Sequence, residues 1–336
     1  MRTSSLTPHA ARLVVIGTGS WGLAVGMLLA ARCADRVAVI GRDPARCAEL
    51  SAARAHPETG TPFPANLVIS ADPAEAAGAE LLFWAVPTQF TAGAAARLAP
   101  WLALAPVVSL SKGLEQDTQR RVSEILAAVL PDRGIACLSG PALAAEVVRG
   151  LPLALVAAGD DGAVRGAVMA LHGGPVRIYS SNDLIGVELC GALKNVIAIA
   201  AGCAEGLGFG DNARAALITR GLAEIRRLGR RLGANDATCA GLAGMGDLVA
   251  SCVSPLGRNR ALGVALGRGE APHTLLVRSR GVAEGAWTAR AAVALGERHA
   301  VELPIASQVA SAIWLGKPVT LALRELLARS PKDEDA

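Results

Sequence analysis

Two lysines stand apart in this chain. Of its 33 basic residues only four are lysine, at positions 112, 194, 317 and 332, and the other 29 are arginine. Lys317 and Lys332 lie near the C-terminus, where a solvated ammonium needs no explanation. Lys112 and Lys194 lie mid-chain in weakly charged surroundings. Arginine cannot replace lysine where a proton must leave or a compact ammonium must fit. Lys194 belongs to Gly186–Gly202, GVELCGALKNVIAIAAG. At helical spacing Val187, Gly191, Lys194 and Ala198 share one face, with Gly191 clearing space a turn earlier. Glu188 falls on another face. Burial on such a stripe disfavours the ammonium and brings the pKa into the working range of an acid or base. A lysine that only packs its stem along the stripe is the other reading.

Further groups match that chemistry. Asp247 ends the Gly-rich GLAGMGD and would orient Lys194 or cap a helix. Gly257-Arg258-Asn259-Arg260 offers guanidinium and amide donors to an anionic phosphate, or forms a surface turn. Lys112, in Ser111-Lys112-Gly113, follows an apolar strand, as do Ala85-Val86-Pro87 and Ser139-Gly140-Pro141. In doubly wound sheets the ligand crevice lies outside the carboxyl ends of the strands, so Lys112 is expected to point toward cofactor and substrate.

The cofactor signal is Gly17-x-Gly19-x-x-Gly22, after a strand and opening a helix. Gly17 permits the turn, Gly19 lets backbone approach a pyrophosphate, and Gly22 lets helix and strand pack closely. The helix N-terminus offers free N–H groups to phosphate. At the end of the second strand stands Gly41-Arg42-Asp43-Pro44. Arg42 would face a 2′-phosphate, which points to NADP, while Asp43 before Pro44 reads as a helix cap. The run from Leu13 to Ala31 carries no charge and mimics a signal or spanning segment. Its glycine spacing favours the nucleotide reading.

The elements that must position these groups follow a simple order. Strands are expected at Arg12–Gly17, Arg36–Ile40, Leu81–Val86, Pro106–Ser111, Ile135–Ser139, Leu153–Ala158 and Val176–Tyr179. Trp21–Cys33 and Pro44–Ala55 read as helices, and His56–Ala65, rich in proline, as a loop. Apolar strands alternating with helices imply a mostly parallel, doubly wound Rossmann-type sheet covered on both faces. From about Leu184 only helical pattern remains. The chain is therefore read as an α/β dinucleotide-binding domain, 1–185, followed by an all-helical substrate and catalytic domain, 186–330. With 52% hydrophobic and 18% charged residues, the composition is that of a helix-rich globular enzyme. A net charge of +4 is too mild to imply nucleic acid. The Arg-rich Ile225–Arg231 reads as a solvated helix end. Seven scattered cysteines without a Cys-x-x-Cys make a disulfide framework or metal site unexpected and fit a reducing cytoplasm.

Taken together, GTGSWG, AVP, SKGLE, SGP…AAE, the block from Ile178 to Ile225, GLAGMGDL, GRNR and GVAEG resemble bacterial NAD(P)-dependent glycerol-3-phosphate dehydrogenase, from about residue 12 to 325. The resemblance implies a Rossmann domain and a helical domain with the active site between them. It implies interconversion of dihydroxyacetone phosphate and sn-glycerol 3-phosphate, supplying phospholipid synthesis, in a cytoplasmic homodimer with NADP or NAD, no nucleic-acid partner and no membrane insertion. It marks Lys194 as general acid/base, Lys112 as a substrate and cofactor contact that polarises the carbonyl, and Asp247 as the acid beside Lys194. It marks Ser20, Trp21, Arg42, Ala144, Arg258, Val282 and Glu284 as cofactor contacts alongside the glycines. Gly140, Ala142, Gly257, Arg258 and Asn259 match substrate positions.

Two departures stand out. Ala142 replaces a Ser or Thr, and Gly257 replaces a common Ser; each change removes a hydroxyl that would bond substrate. A lost bond to a charged group costs about 1.5–3 kcal/mol, though water can substitute. Weaker substrate binding, or a related phosphorylated ketone as substrate, follows. The alternatives are a reductase of the same architecture acting on a keto or hydroxy acid, and a non-catalytic NADP-binding sensor.

Overall fold

The computed structural model describes residues 12–33, 35–102, 104–278 and 283–329. Contacts divide the chain into two units. One comprises the described residues up to Ser111 together with Val122–Val187; the other comprises Lys112–Arg121 and the described residues from Glu188 onward. A single boundary at 185 therefore leaves out an excursion. Lys112–Arg121 packs with the helical unit before the chain returns to the sheet. Nothing local betrays this, because the segment's partners lie far along the chain.

The first unit is built on eight strands: β1 (Leu13–Ile16), β2 (Val37–Ile40), β3 (Leu67–Ser70), β4 (Leu81–Trp84), β5 (Val107–Ser109), β6 (Ile135–Ser139), β7 (Leu153–Gly159) and β8 (Val176–Ser181). Their spatial order is 3-2-1-4-5-6-7-8. All neighbours are parallel except β6 and β7. The helices are α1 (Ser20–Arg32), α2 (Pro44–Ala53), α3 (Thr91–Leu98), α4 (Val122–Val129), α5 (Ala144–Val147) and α6 (Asp161–Leu171). The fold class is the expected one, with two differences. β3 has no counterpart among the expected strands: it is a four-residue edge strand of alternating burial, just after a proline-rich loop. β7 returns antiparallel to β6 across a connection holding only the four-residue α5. A parallel return needs a full crossover, usually a longer helix.

Alternation along the central strands makes two cores. Leu13, Val15, Leu81 and Phe83 join α1 and α6 on one face of the sheet. Val14, Ile16, Leu82 and Trp84 join α3 and α4 on the other. A strand buried on both faces must be apolar throughout. The uncharged run from Leu13 to Ala31 is thus accounted for by β1 and α1, whose Leu23, Val25, Met27 and Leu29 fill the first core.

The second unit contains α7 (Leu184–Gly206, from Glu188 onward), α8 (Asp211–Arg231), α9 (Asp236–Ala240), α10 (Asp247–Val253), α11 (Arg258–Gly267), α12 (Pro272–Arg278), α13 (Glu284–Arg298), α14 (Pro304–Trp314) and α15 (Val319–Leu327). By length and composition α7 could cross a bilayer, but 83% of its most apolar window is buried in the protein. It is the core helix of its unit. At the far end of α8, Arg226 and Arg230 pair with Asp236, the solvated helix end expected of that basic run.

α7 and α11 meet backbone to backbone. A Cβ on Gly202 would stand 2.1 Å from the Arg260 carbonyl oxygen, and one on Gly263 would stand 2.1 Å from that of Ile199. Gly206 and Gly267 repeat the contact one turn on, with would-be Cβ atoms 2.3 Å from Val264 O and 2.4 Å from Cys203 O. Two Gly-x-x-x-Gly stripes therefore fix the register of the two helices. An alanine in an open helix position stabilises by about 1 kcal/mol relative to glycine, whereas overpacking costs about 1–3 kcal/mol. Gly263→Ala is therefore expected to lower the thermal midpoint. Gly93→Ala on α3, where the Cβ meets nothing within 4 Å, is expected to hold or raise it. Equal melting of the two variants would contradict the close approach.

Candidate active site

In the first unit the glycine turn has the form its spacing implies. Gly17 takes φ +121°, and a Cβ there would stand 2.6 Å from Ala85 O, just past the end of β4. A Cβ on Gly22 would stand 2.2 Å from Gly17 O, so helix and turn close on each other. Gly19 has nothing within 4 Å of its would-be Cβ and stands as N-cap of α1, with no side chain capping that terminus. The first amides of α1 thus lack a side-chain cap. Trp21 Nε1 is buried without a hydrogen-bond partner among the described residues. An open, uncapped helix start beside an orphaned indole donor fits a phosphate-bearing dinucleotide.

His56 carries no signal in the sequence, yet it is fully buried. Its Nε2 lies 3.3 Å from Ser20 Oγ and 3.2 Å from Ser20 O, while Nδ1 accepts from Glu58 N at 3.4 Å. The loop after α2 is thereby stapled to the first turn of α1. At the end of β2, Asp43 accepts from Ala45 N at 3.0 Å and Arg46 N at 3.3 Å, which makes it the cap of α2. Arg42 is exposed and lies over the Phe90 ring, 5.8 Å from its centroid. At the end of β6 come Gly140, with φ +134°, and then Ala142 and Ala144, both packed partly buried against the first core.

The second unit gathers the charged groups. Lys194 Nζ lies 2.7 Å from Asp247 Oδ1 and 2.7 Å from Ser251 Oγ. Lys112 Nζ lies 2.6 Å from Asp247 Oδ2. One carboxylate, 2% exposed, therefore serves two ammonium groups. Burial pushes Lys194 down to about 8; Asp247 opposes that shift and Lys112 adds to it. Burial alone would raise the Asp247 carboxyl, but the two lysines outweigh it and hold it below its ordinary value. Asp247 is the first residue of α10, yet its side chain goes to the lysines rather than to the helix amides. Ser251, one turn later on the same face, is an addition to the expected set; its i+4 spacing from Asp247 was the available signal.

Asn195 is a second addition, and it ties this cluster together. Its Nδ2 donates to Lys112 O at 3.1 Å and to Gly191 O at 3.3 Å. Its Oδ1 accepts from Asn259 Nδ2 at 2.9 Å, and Asn259 Oδ1 accepts from Gly285 N at 3.2 Å. The Asn259 carboxamide, expected to grip phosphate, thus spends its oxygen and one amide hydrogen on the protein. Arg258 opens α11, after Gly257 as N-cap, and is exposed with no partner among the described residues. Its neighbour Arg260 pairs with Glu205 at 2.6 Å. Glu284 opens α13. Val282 lies outside the described residues. Among the described residues no group of three or more His, Cys, Asp or Glu is placed to hold a metal.

The chain matches two family models along most of its length. Residues 12–164 match the NAD-dependent glycerol-3-phosphate dehydrogenase N-terminus, and residues 183–324 match the C-terminus of the same family. It is 42% identical over 322 residues to a glycerol-3-phosphate dehydrogenase [NAD(P)+] of Agrobacterium fabrum, covering 95% of this chain and 97% of that one. A protein of the same name in Geobacter metallireducens is 44% identical over 331 residues, covering 96% and 98%. The crystal structure of glycerol-3-phosphate dehydrogenase from Coxiella burnetii superposes with a TM-score of 0.89 at 35% identity, covering 95% of this chain and 99% of that one. With the glycine turn, the lysine cluster and these matches in agreement, the chain belongs to the NAD-dependent glycerol-3-phosphate dehydrogenase family.

Proposed function

We propose that this chain interconverts dihydroxyacetone phosphate and sn-glycerol 3-phosphate with Lys194 as the proton donor and acceptor. The carrying observation is a buried lysine, bonded to Asp247 and Ser251, whose pKa falls to about 8. Gly17, Gly19, Ser20, Trp21 and Gly22 would hold the dinucleotide, which when bound would give a hydride to C2 in its reduced form (NADPH or NADH) and take one back in its oxidised form. In reduction the Lys194 ammonium gives its proton to the oxygen at C2; in oxidation the neutral amine takes it back. Asp247 holds Lys194 and neutralises part of its charge. Lys112, on the other oxygen of the same carboxylate, polarises the substrate carbonyl. Arg258, without a partner among the described residues, is the phosphate ligand this reading favours. Gly140, Ala142, Gly257 and Asn259 border the substrate, and Ala144, Val282 and Glu284 border the cofactor. We further read the protein as a cytoplasmic homodimer that supplies phospholipid synthesis. The resemblance supports that, and all seven cysteines are free thiols, as a reducing compartment requires.

NADP is favoured over NAD. An acid at the end of β2 usually holds the ribose hydroxyls of NAD. Here Asp43 is occupied by two helix amides, while Arg42 stays exposed over Phe90.

The deciding assay is reduction of dihydroxyacetone phosphate against dihydroxyacetone. Only the phosphorylated ketone is expected to turn over, and equal rates would point to a keto-acid-type reductase instead. Lys194→Ala is expected to lose roughly a hundred- to ten-thousand-fold in turnover while binding dinucleotide normally; full activity would remove Lys194 from the mechanism.

The pH dependence has a defined sign. Reduction needs the ammonium and should fall as pH rises through about 8, whereas oxidation needs the amine and should rise through the same value. Profiles flat across it would show that another group moves the proton.

Arg42→Ala is expected to raise KM for NADPH roughly ten- to a hundred-fold, given about 1.5–3 kcal/mol per bond to a charged group. KM for NADH should barely change. Equal effects on the two cofactors would refute a 2′-phosphate contact.

A further inference from the structure

Glu188 and Arg121 take no part in the chemistry above, yet both are withdrawn from solvent. Arg121 Nη1 lies 2.8 Å from Glu188 Oε2, with side chains 16% and 4% exposed. Arg121 is the last residue of the excursion that begins at Lys112. That excursion is a small hairpin, bridged antiparallel at Leu114 and Arg121 and tightened by Glu115 N donating to Arg120 O at 3.0 Å. Gln119, with φ +59°, turns the chain, and its side chain is held by Arg298 of α13. Leu114 N donates to Thr288 Oγ1, also on α13, at 3.4 Å.

The two ends of the hairpin are tied to α7. Lys112 O accepts from Asn195, and Arg121 reaches Glu188. Asn195 and Glu188 are seven residues apart, which is two helical turns to within roughly 20° and about 10 Å along the axis. They therefore stand on one stripe of α7, and the hairpin is laid along it. Lys194, one residue before Asn195, faces a different direction, toward Asp247. The hairpin thus carries Lys112 to Asp247, and its far end is fixed by the part-buried ion pair.

We propose that Glu188, acting through Arg121, is a positioning residue that seats the Lys112 hairpin on α7 and so sets the spacing of the Lys112–Asp247–Lys194 cluster. The catalytic meaning of this rests on the proposed role of Lys194. Its physical content does not, because Lys112 depresses the Lys194 ammonium and is effective only while both reach one carboxylate. Asp247, Lys112 and the Cys252 thiol are the ionisable groups that act on Lys194.

The test exploits the scarcity of lysine. Protein labelled with 13C at lysine Cε should give four signals, with Lys194 assigned by its loss in Lys194→Ala. Titration then reads the Lys194 pKa without turnover. In Glu188→Gln, and in the double variant Arg121→Met/Glu188→Met, that pKa is expected to rise by about one unit. Ketone reduction should slow roughly ten- to a hundred-fold, with KM for the dinucleotide unchanged. The double variant removes the two charges of this pair together, so neither is left facing the other's vacancy. Glu188→Asp, which keeps the carboxylate but sets it one methylene back, is expected to shift the titration upward by less than Glu188→Gln. A folded double variant with the native Lys194 titration overturns the proposal. Should that variant fail to fold, Arg121→Lys, which keeps the charge but not the reach, decides between the outcomes: a native titration refutes the proposal and an upward shift supports it. A wild-type Lys194 that titrates near 8 without reducing the ketone would sink the proposed reaction and leave this inference standing.

Discussion

A single buried carboxylate organises the helical unit. Asp247 faces two ammonium groups, one on each oxygen, in a setting where an unpaired charge would be costly. Two ammonium groups thus share one anion. Burial lowers the more enclosed of them, so that Lys194 gives up its proton more readily than an ordinary lysine. Removing Lys112 from Asp247 would raise Lys194 only by the smaller part that Lys112 contributes, burial being the larger cause.

Holding such a cluster needs stiff backbone, and the unit supplies it through close approach rather than bulk. Gly202 and Gly206 on α7 meet Gly263 and Gly267 on α11 with no room for a Cβ. The same register runs on to the Asn195–Asn259 contact at the start of α11, and from there to Gly285 at the start of α13. α10, α11, α13 and the Lys112 hairpin are thereby referenced to α7. Arg258 stands at the beginning of α11 because that register puts it there, without a partner among the described residues.

The nucleotide-binding unit works by the opposite principle of leaving groups unsatisfied. Its central strands are buried on both faces, so the sheet is apolar and rigid. At the carboxyl end of β1 the chain turns sharply, and the first amides of α1 have no cap. The buried His56 fixes that turn by its contacts to Ser20. Asp43, by contrast, accepts both cap bonds of α2 on Oδ1, and the exposed Arg42 stands beside it.

Much of this was legible in the sequence, and the limits have a physical cause. Periodicity and glycine spacing are local, so β1, α1, the glycine turn between them and the lysine on the small-residue face of α7 were readable from residue types alone. So was Asp43 as a cap, because capping acts within three residues. Partnerships between distant segments carry no such signal. The edge strand β3, the antiparallel return of β7 and the seating of Lys112–Arg121 among the helices each depend on what packs beside them. The same holds for His56, Ser251 and Asn195, polar residues whose roles come from neighbours brought in by the fold. The sequence by itself determined which chemistry was available: a dinucleotide turn, scarce lysines, a carboxylate and a guanidinium. Only the tertiary structure decided that Asp247 would be shared between two lysines, that Asn259 would bond the protein, and that Arg258 would stand exposed at the head of α11. A residue's charge belongs to the residue, but its pKa and its partners belong to its surroundings.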